Sequence, residues 1–237
     1  MLESLRNKKI LIVVAHPDDE LLGLGATMNK LINDYGVKTH VIILGEGITS
    51  RSDTRDLTKW EDDLLIHKNN IKSAQAAIGY HSVSIYDFPD NRFDTVALLD
   101  IVKVIEKEKG DFVPDVVFTH HGGDLNIDHQ RTFDAVMTAC RPISNESVKT
   151  IITFETPSGT EWRANSDPRH FLPNLFVAVS SENLEAKIKG MESYEFESRS
   201  FPHPRSPEAL RIQAQRWGVA MGVCHVEAFN IVRTISL

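Results

Sequence analysis

Ile10-Leu11-Ile12-Val13-Val14-Ala15-His16-Pro17-Asp18-Asp19-Glu20 is an apolar run of strand length that ends in one imidazole and three carboxylates. Stability gives no reason for four ionisable groups at a strand's exit. They would repel and desolvate one another unless a cation sat among them, because unpaired buried charge is costly. A divalent metal of borderline softness, such as Zn²⁺, accepts this mixture of nitrogen and carboxylate oxygen. The competing reading is a solvated acidic turn. Position favours the metal, since α/β proteins keep their sites where strands exit.

Outward from that strand, helix-like and strand-like segments alternate. Leu21–Tyr35 reads as a helix stopped by Gly36. Thr39–Leu44 reads as a second strand, Leu64–Ile78 as a helix ended by Gly79, and Val83–Tyr86 as a short third strand. Thr95–Lys107 places Val96, Leu99, Val102 and Ile105 at helical spacing. Val116–Thr119 is a fourth strand candidate, Arg131–Cys140 a helix, and Thr150–Phe154 a fifth strand. The alternation predicts βαβ units: an α/β three-layer sandwich whose mostly parallel sheet is covered on both faces. After Thr156 the chain is less regular and rich in Pro, Ser and charge, with a strand near Leu175–Val179 and a helix near Pro207–Trp217. No repeat, low-complexity tract or linker interrupts it. A single domain over residues 1–237 is expected, with its core at about 8–155 and the part from 156 to 237 contributing to the substrate site.

Composition narrows the function classes. The 237 residues are 41% hydrophobic and 25% charged, ordinary for a globular protein. A net charge of −7 argues against nucleic acid as a partner, since such binders present a basic face. Cys140 and Cys224 follow no metal spacing, so a reduced, cytoplasmic protein is expected. The start, MLESLRNKK, has no apolar leader, and no run reaches membrane-spanning length. No membrane insertion is expected, and a homo-oligomer is compatible with the sequence.

In a parallel sheet the strand exits share one edge, where their loops converge. The first delivers His16, Asp18, Asp19 and Glu20; the second, Glu46 to Arg51; the third, Asp87 to Arg92; the fourth, His120 to His129. Four ionisable loops meeting at one edge are a stronger signal than any one alone.

His-Pro-Asp-Asp-Glu after an apolar strand, with Asn126-Ile127-Asp128-His129 after the fourth, resembles the LmbE-like (PIG-L) family of metal-dependent N-deacetylases. The resemblance covers about Ile10 to Phe154 well and the last third loosely. It implies a Rossmann-like fold and a catalytic Zn²⁺, with Fe²⁺ the alternative. It further implies hydrolysis of an acetamide on an amino sugar or sugar conjugate. Carried onto this chain, it makes His16, Asp19 and His129 the metal ligands and Asp18 the general base. The chemistry is coherent with those assignments. Three ligands leave a tetrahedral ion one open position, and a neighbouring carboxylate can take the proton of an activated water. Glu20 is assigned to the following helix N-terminus, and Asp128, beside His129, to orienting an imidazole or to hydrogen-bonding nearby.

One position departs from the family. A His commonly lies three residues before the last ligand, where a cation could stabilise the oxyanion; here it is Asn126. Asn126 itself, His203 in Phe201-Pro202-His203-Pro204-Arg205-Ser206, and His120 or His121 are the candidates for that task, with His203 first among the histidines. Arg51, Arg55 and Arg92 lie in or beyond the second and third tips and suit an anionic or nucleotide-linked substrate, unless they pair with nearby acids. Arg51 and Arg92 are taken as substrate contacts, with Glu46 and Glu155. Three other readings stay open: an amidase acting on a larger acyl or thiol conjugate, a non-catalytic metal- or sugar-binding module, and a Mg²⁺-binding receiver. The last would have no use for His16 and His129.

Overall fold

The computed structural model describes residues 2–164 and 166–236. Its first five strands are β1 (Lys9–Val14), β2 (Lys38–Gly45), β3 (Ser82–Phe88), β4 (Val116–His120) and β5 (Thr150–Phe154). All their pairings are parallel. β7 (Val226–Thr234) lies antiparallel between β5 and β6 (Leu175–Ala178), giving the order β3-β2-β1-β4-β5-β7-β6. The protein is therefore α/β, a three-layer arrangement around a mostly parallel sheet.

β1 explains the layering. Ile10 to Ala15 are all 0% exposed, so this strand is buried on both faces. Ile10, Ile12 and Val14 pack on one side with α2 (Gly25–Tyr35), α3 (Glu61–Ile78), α6 (Ser181–Glu192) and α7 (Pro207–Met221). Leu11, Val13 and Ala15 pack on the other with α4 (Leu98–Phe112) and α5 (Ile127–Ala139). Each such side chain contributes about 1.5–3 kcal/mol on full burial, so β1 is a rigid mount for whatever follows it. Its neighbours β2 and β4 lead off in opposite directions across the sheet. A crevice opens where strand order reverses in this way, outside the carboxyl ends of the strands. His16 follows β1 and the 121–129 segment follows β4, so both reach that crevice.

Several elements differ from the sequence expectation. The helix expected over Leu21–Tyr35 is two, α1 (Asp19–Leu22) and α2. Gly23 packs so closely on Phe154 that a Cβ there would lie 2.0 Å from the ring, and the chain turns at that contact. α4 starts later than expected, at Leu98, and buries Ile101, Val102 and Ile105, leaving Leu99 61% exposed. The region after Thr156 is regular, holding β6, α6, α7 and β7, of which α6 and β7 were not anticipated.

β7 was hidden by a charge. Glu227 points inward and pairs with Lys187 of α6 at 2.7 Å, both buried. Its carboxylate also accepts from the N–H groups of Ala26 and Thr27, at the start of α2. An inward Glu breaks the apolar alternation by which a strand is read. Breaking a buried pair leaves an uncompensated charge, so Lys187→Met is expected to cost about 3–5 kcal/mol. The denaturation midpoint measures this; an unchanged midpoint would mean that Glu227 is satisfied by the helix N–H groups alone. No helix of the described residues is long and apolar enough to cross a membrane.

Candidate metal and catalytic site

The β1 exit folds back on itself. Asp19 Oδ2 accepts from the His16 N–H at 2.8 Å, which brings both side chains to the crevice. His129, in the first turn of α5, places Nε2 3.4 Å from the same oxygen, and His16 Nδ1 lies 3.5 Å from it. One ligand atom from each of His16, Asp19 and His129 falls within 4.8 Å of the others, and all three residues are buried.

Each imidazole has a carboxylate at its other nitrogen. His16 Nε2 meets Asp128 Oδ2 at 2.8 Å, and His129 Nδ1 faces Asp124 Oδ1 at 3.2 Å. Metal-binding histidines are commonly oriented this way, with the second ring N–H held by a carboxylate and the first left for the ion. The donor set, two imidazoles and one carboxylate, suits Zn²⁺ or Fe²⁺. His16, Asp90 and Asp128 form a second close group. Its carboxylates are already occupied: Asp128 accepts from the N–H groups of Asn91 and Phe93, and Asp90 from the N–H and hydroxyl of Ser50. The first group is thus the better cage. Asp128→Asn is expected to weaken metal binding 10–100-fold, measured by competition with a chelating dye; unchanged affinity would remove Asp128 from its orienting role.

Electrostatics also favour a cation. Burial pulls the His129 pKa down, but Asp19 and Asp124 outweigh it and raise it to about 9. Burial opposes the charged form of His16 too, yet hydrogen bonds to Asp128 and Asp19 lift its pKa well above the ordinary value. Without an ion, this crevice draws protons onto its imidazoles. His120 behaves differently. It stacks on His129 at 3.9 Å, and its Nε2 accepts from the Ala15 N–H at 3.0 Å, which fixes a neutral tautomer. Burial, then the charge of His129, push its pKa down to about 4.

Asp18 stands beside the cage with φ 94°, a left-handed conformation unusual for a residue other than Gly. Glu20 holds it there: one carboxylate oxygen accepts from the Asp18 N–H at 3.0 Å, the other from the Tyr194 hydroxyl at 2.6 Å. Burial pushes the Glu20 carboxyl up to about 7 despite those bonds. Burial also raises the Asp18 carboxyl well above the usual range, opposed mainly by Arg205. Arg205 Nη1 lies 2.9 Å from Asp18 Oδ2 and 2.6 Å from Glu197. Its Nε donates to Ser158 Oγ at 2.8 Å, so three partners fix the guanidinium. A polar cavity of about 110 Å³ opens over this arrangement, lined by His16, Asp18, Arg51, Asp90, Asn126 and Arg205 among others.

The other expected site residues divide. Asn126 lines the cavity, but its side-chain oxygen caps α5 by accepting from the Asp128 N–H at 2.8 Å, and its amide donates to Asn91. Arg51 lines it as well, paired with Glu197. Arg92 turns to the Asp53 carbonyl, and Glu46 is bound bidentately by Arg55. Glu155 accepts from the Trp217 indole. None of these last three lines the polar cavity. His203 sits edge-on to Trp162 and accepts from the Arg205 N–H at 3.2 Å. Burial, then Arg205 and Arg199, lower its pKa. The cation that meets Asp18 is Arg205, two residues on in the same proline-flanked segment. Asn126→Ala is expected to cost about 1 kcal/mol as a lost helix cap, read as a shift in melting temperature; an unshifted melt would show that the cap is dispensable.

The family model for GlcNAc-PI de-N-acetylases (PIG-L) matches residues 11–140, more than half of the chain. The chain belongs to the PIG-L family. It is 28% identical over 194 residues to the uncharacterized deacetylase YaiS of Escherichia coli (strain K12), covering 80% of this chain and 91% of that one. It is 27% identical over 238 residues to the diacetylchitobiose deacetylase of Thermococcus kodakarensis (strain ATCC BAA-918 / JCM 12380 / KOD1), covering 97% and 85%. Its fold is that of the N,N'-diacetylchitobiose deacetylase of Pyrococcus horikoshii, at a TM-score of 0.74 and 19% identity, over 95% of this chain and 84% of that one. The PIG-L match spans β1 to α5 and so contains His16, Asp19 and His129; Glu197 and Arg205 lie beyond it.

Proposed function

We propose that this protein is a metal-dependent hydrolase that removes an N-acetyl group from an amino sugar or sugar conjugate. The observation that carries this reading is the position of Asp18, a buried carboxylate that lines one polar cavity together with His16 and directly precedes Asp19 in the chain, next to the cage of His16, Asp19 and His129. The names borne by its relatives, deacetylases in both cases, support the reaction class.

Zn²⁺, or Fe²⁺, held by His16, Asp19 and His129 would supply the Lewis acid that activates water and polarises the amide carbonyl. The remaining work falls to the chain's own side chains. Asp18 takes a proton from the attacking water as its oxygen bonds to the carbonyl carbon. It returns that proton to the nitrogen as the C–N bond breaks, which yields acetate and a free amine. Arg205 and the Glu20 contact hold Asp18 in place for both transfers. Asn126 supplies at most a neutral N–H donor, so positive charge near the reacting carbonyl comes from the cage and from Arg205. Arg51, at the cavity rim and bridged to Glu197, is the contact for a substrate anion.

A non-catalytic module of this fold would need neither a left-handed Asp18 nor a guanidinium fixed on it. The test is release of acetate from N-acetylated amino sugars, free and nucleotide-linked. Activity is expected to vanish on complete metal removal and to return with Zn²⁺ or Fe²⁺. Acetate release that survives metal removal would overturn the reading.

A further inference from the structure

Pro17 lines two cavities. On one side is the metal cavity; on the other is a space of about 190 Å³ walled mainly by Leu57, Leu64, Ile71, Ile85 and Tyr86, with the charged side chains of Glu46, Lys68 and Asp87 also in its lining. His67 of α3 also lines it. This residue is 2% exposed, and neither of its ring nitrogens has a hydrogen-bond partner among the described residues. Leaving buried polar atoms unpaired is unfavourable, and packing does not demand a polar residue here. The ring stacks on Phe196 and tilts against Tyr194, contacts that a phenylalanine would make equally well. Burial, then the charge of Arg51, push the His67 pKa down to about 4, so the ring is neutral at pH 7. A neutral imidazole offers one donor and one acceptor.

The size of the space is informative. An enclosed apolar cavity of about 150 Å³ takes a benzene ring. This one has room for a ring of that size but is open rather than enclosed: Leu57, Leu64 and Lys68 also line a broad surface depression beside it. We propose that the space behind Pro17 is a substrate subsite for an apolar ring or compact branched chain carrying one hydrogen-bonding atom for His67. The amide of the same molecule lies in the metal cavity; that part rests on the hydrolase reading above, whereas the subsite rests on the cavity and on His67. The apolar group belongs either to an aglycone or to an acyl group larger than acetyl.

The first measurement is binding of 4-methylphenol and toluene to the metal-loaded protein, followed by amide NMR shifts. Shifts centred on Leu64, His67 and Ile71 are expected. Leu64→Trp, which fills the space, should weaken binding at least 10-fold; if that variant fails to fold, Ile85→Trp on the exposed edge strand β3 fills the same space. His67→Phe should keep toluene binding and lose the preference for 4-methylphenol. No shift, as for a space that holds only water, or an unchanged preference in His67→Phe, overturns the subsite.

The second measurement identifies the source of the group. Hydrolysis is compared for the phenyl and methyl glycosides of N-acetylglucosamine, and for N-benzoyl and N-acetylglucosamine. An at least 10-fold gain in kcat/KM within the first pair assigns the space to the aglycone, and within the second to the acyl group. Leu64→Trp should erase it. Hydrolysis of all four without any such gain overturns the subsite and leaves the hydrolase standing. Local shifts with no hydrolysis of any of them, and no acetate released from the free or nucleotide-linked amino sugars above, keep the subsite and overturn the hydrolase.

Discussion

Asp18→Asn is expected to leave fold and metal content intact and to lower kcat by about 10²- to 10⁴-fold, the range of a lost general base. The amide is nearly isosteric with the carboxylate, and the backbone at this position is held by Glu20 through the Asp18 N–H rather than through the side chain. The left-handed turn therefore survives the change. What disappears is the capacity to accept a proton, together with the charge that meets Arg205 at 2.9 Å. Steady-state rates and metal analysis on the same preparation provide the check. Near-normal turnover with metal retained would move the base to another residue, and Glu20 would be the next to examine.

His129→Ala is expected to abolish turnover and to drop metal occupancy from about one ion per chain to a small fraction of that. Two ligands, His16 and Asp19, remain, and a catalytic zinc site ordinarily takes three from the protein. The loss should exceed that of Asp128→Asn, because the latter removes only the orientation of a ligand. Elemental analysis settles the matter: full occupancy in His129→Ala would take the residue out of the cage and turn attention to the His16, Asp90 and Asp128 group.

The first strand and its exit were legible in the sequence because two simple signals coincide there. An unbroken apolar run identifies a strand buried on both faces, and a cluster of ionisable residues at its end is costly unless a cation or other partners compensate it. That the loops bearing His16, Asp19 and His129 meet was legible by the same logic, since parallel strands release their loops at one edge, but the choice of these three residues among the ionisable ones there came from the resemblance to the family. Asp128 was expected to orient an imidazole, and it does meet one, that of His16 on a different loop.

What escaped reading has equally concrete causes. α6 is a charged helix with a narrow apolar stripe at Leu184, Ile188 and Met191, and β7 carries an inward Glu227. Neither shows the clean periodicity on which segment reading depends. Arg205 was passed over for His203 because the oddity of the Pro-His-Pro-Arg segment pointed to its titratable member. Which of two neighbours turns inward is a matter of tertiary packing. Arg92, Glu46 and Glu155 illustrate the converse, since a charged residue near a strand tip often serves the loop itself. Each of them meets a nearby loop or helix group instead of the cavity.

Glu20 apart, the groups that brace Asp18 lie late in the chain: Tyr194 beneath Glu20, then Glu197 and Arg205. The three cage residues are all in place by position 129. During synthesis, every member of the cage leaves the ribosome before any of these late groups. A chain halted between the two stretches would carry the residues for gripping an ion without most of those that discipline the proton carrier. On the proposed mechanism, the cage and the proton carrier are thus written in one passage and most of the brace in another, and a lineage could lose the brace by changes after residue 190 while its first motif remained letter-perfect.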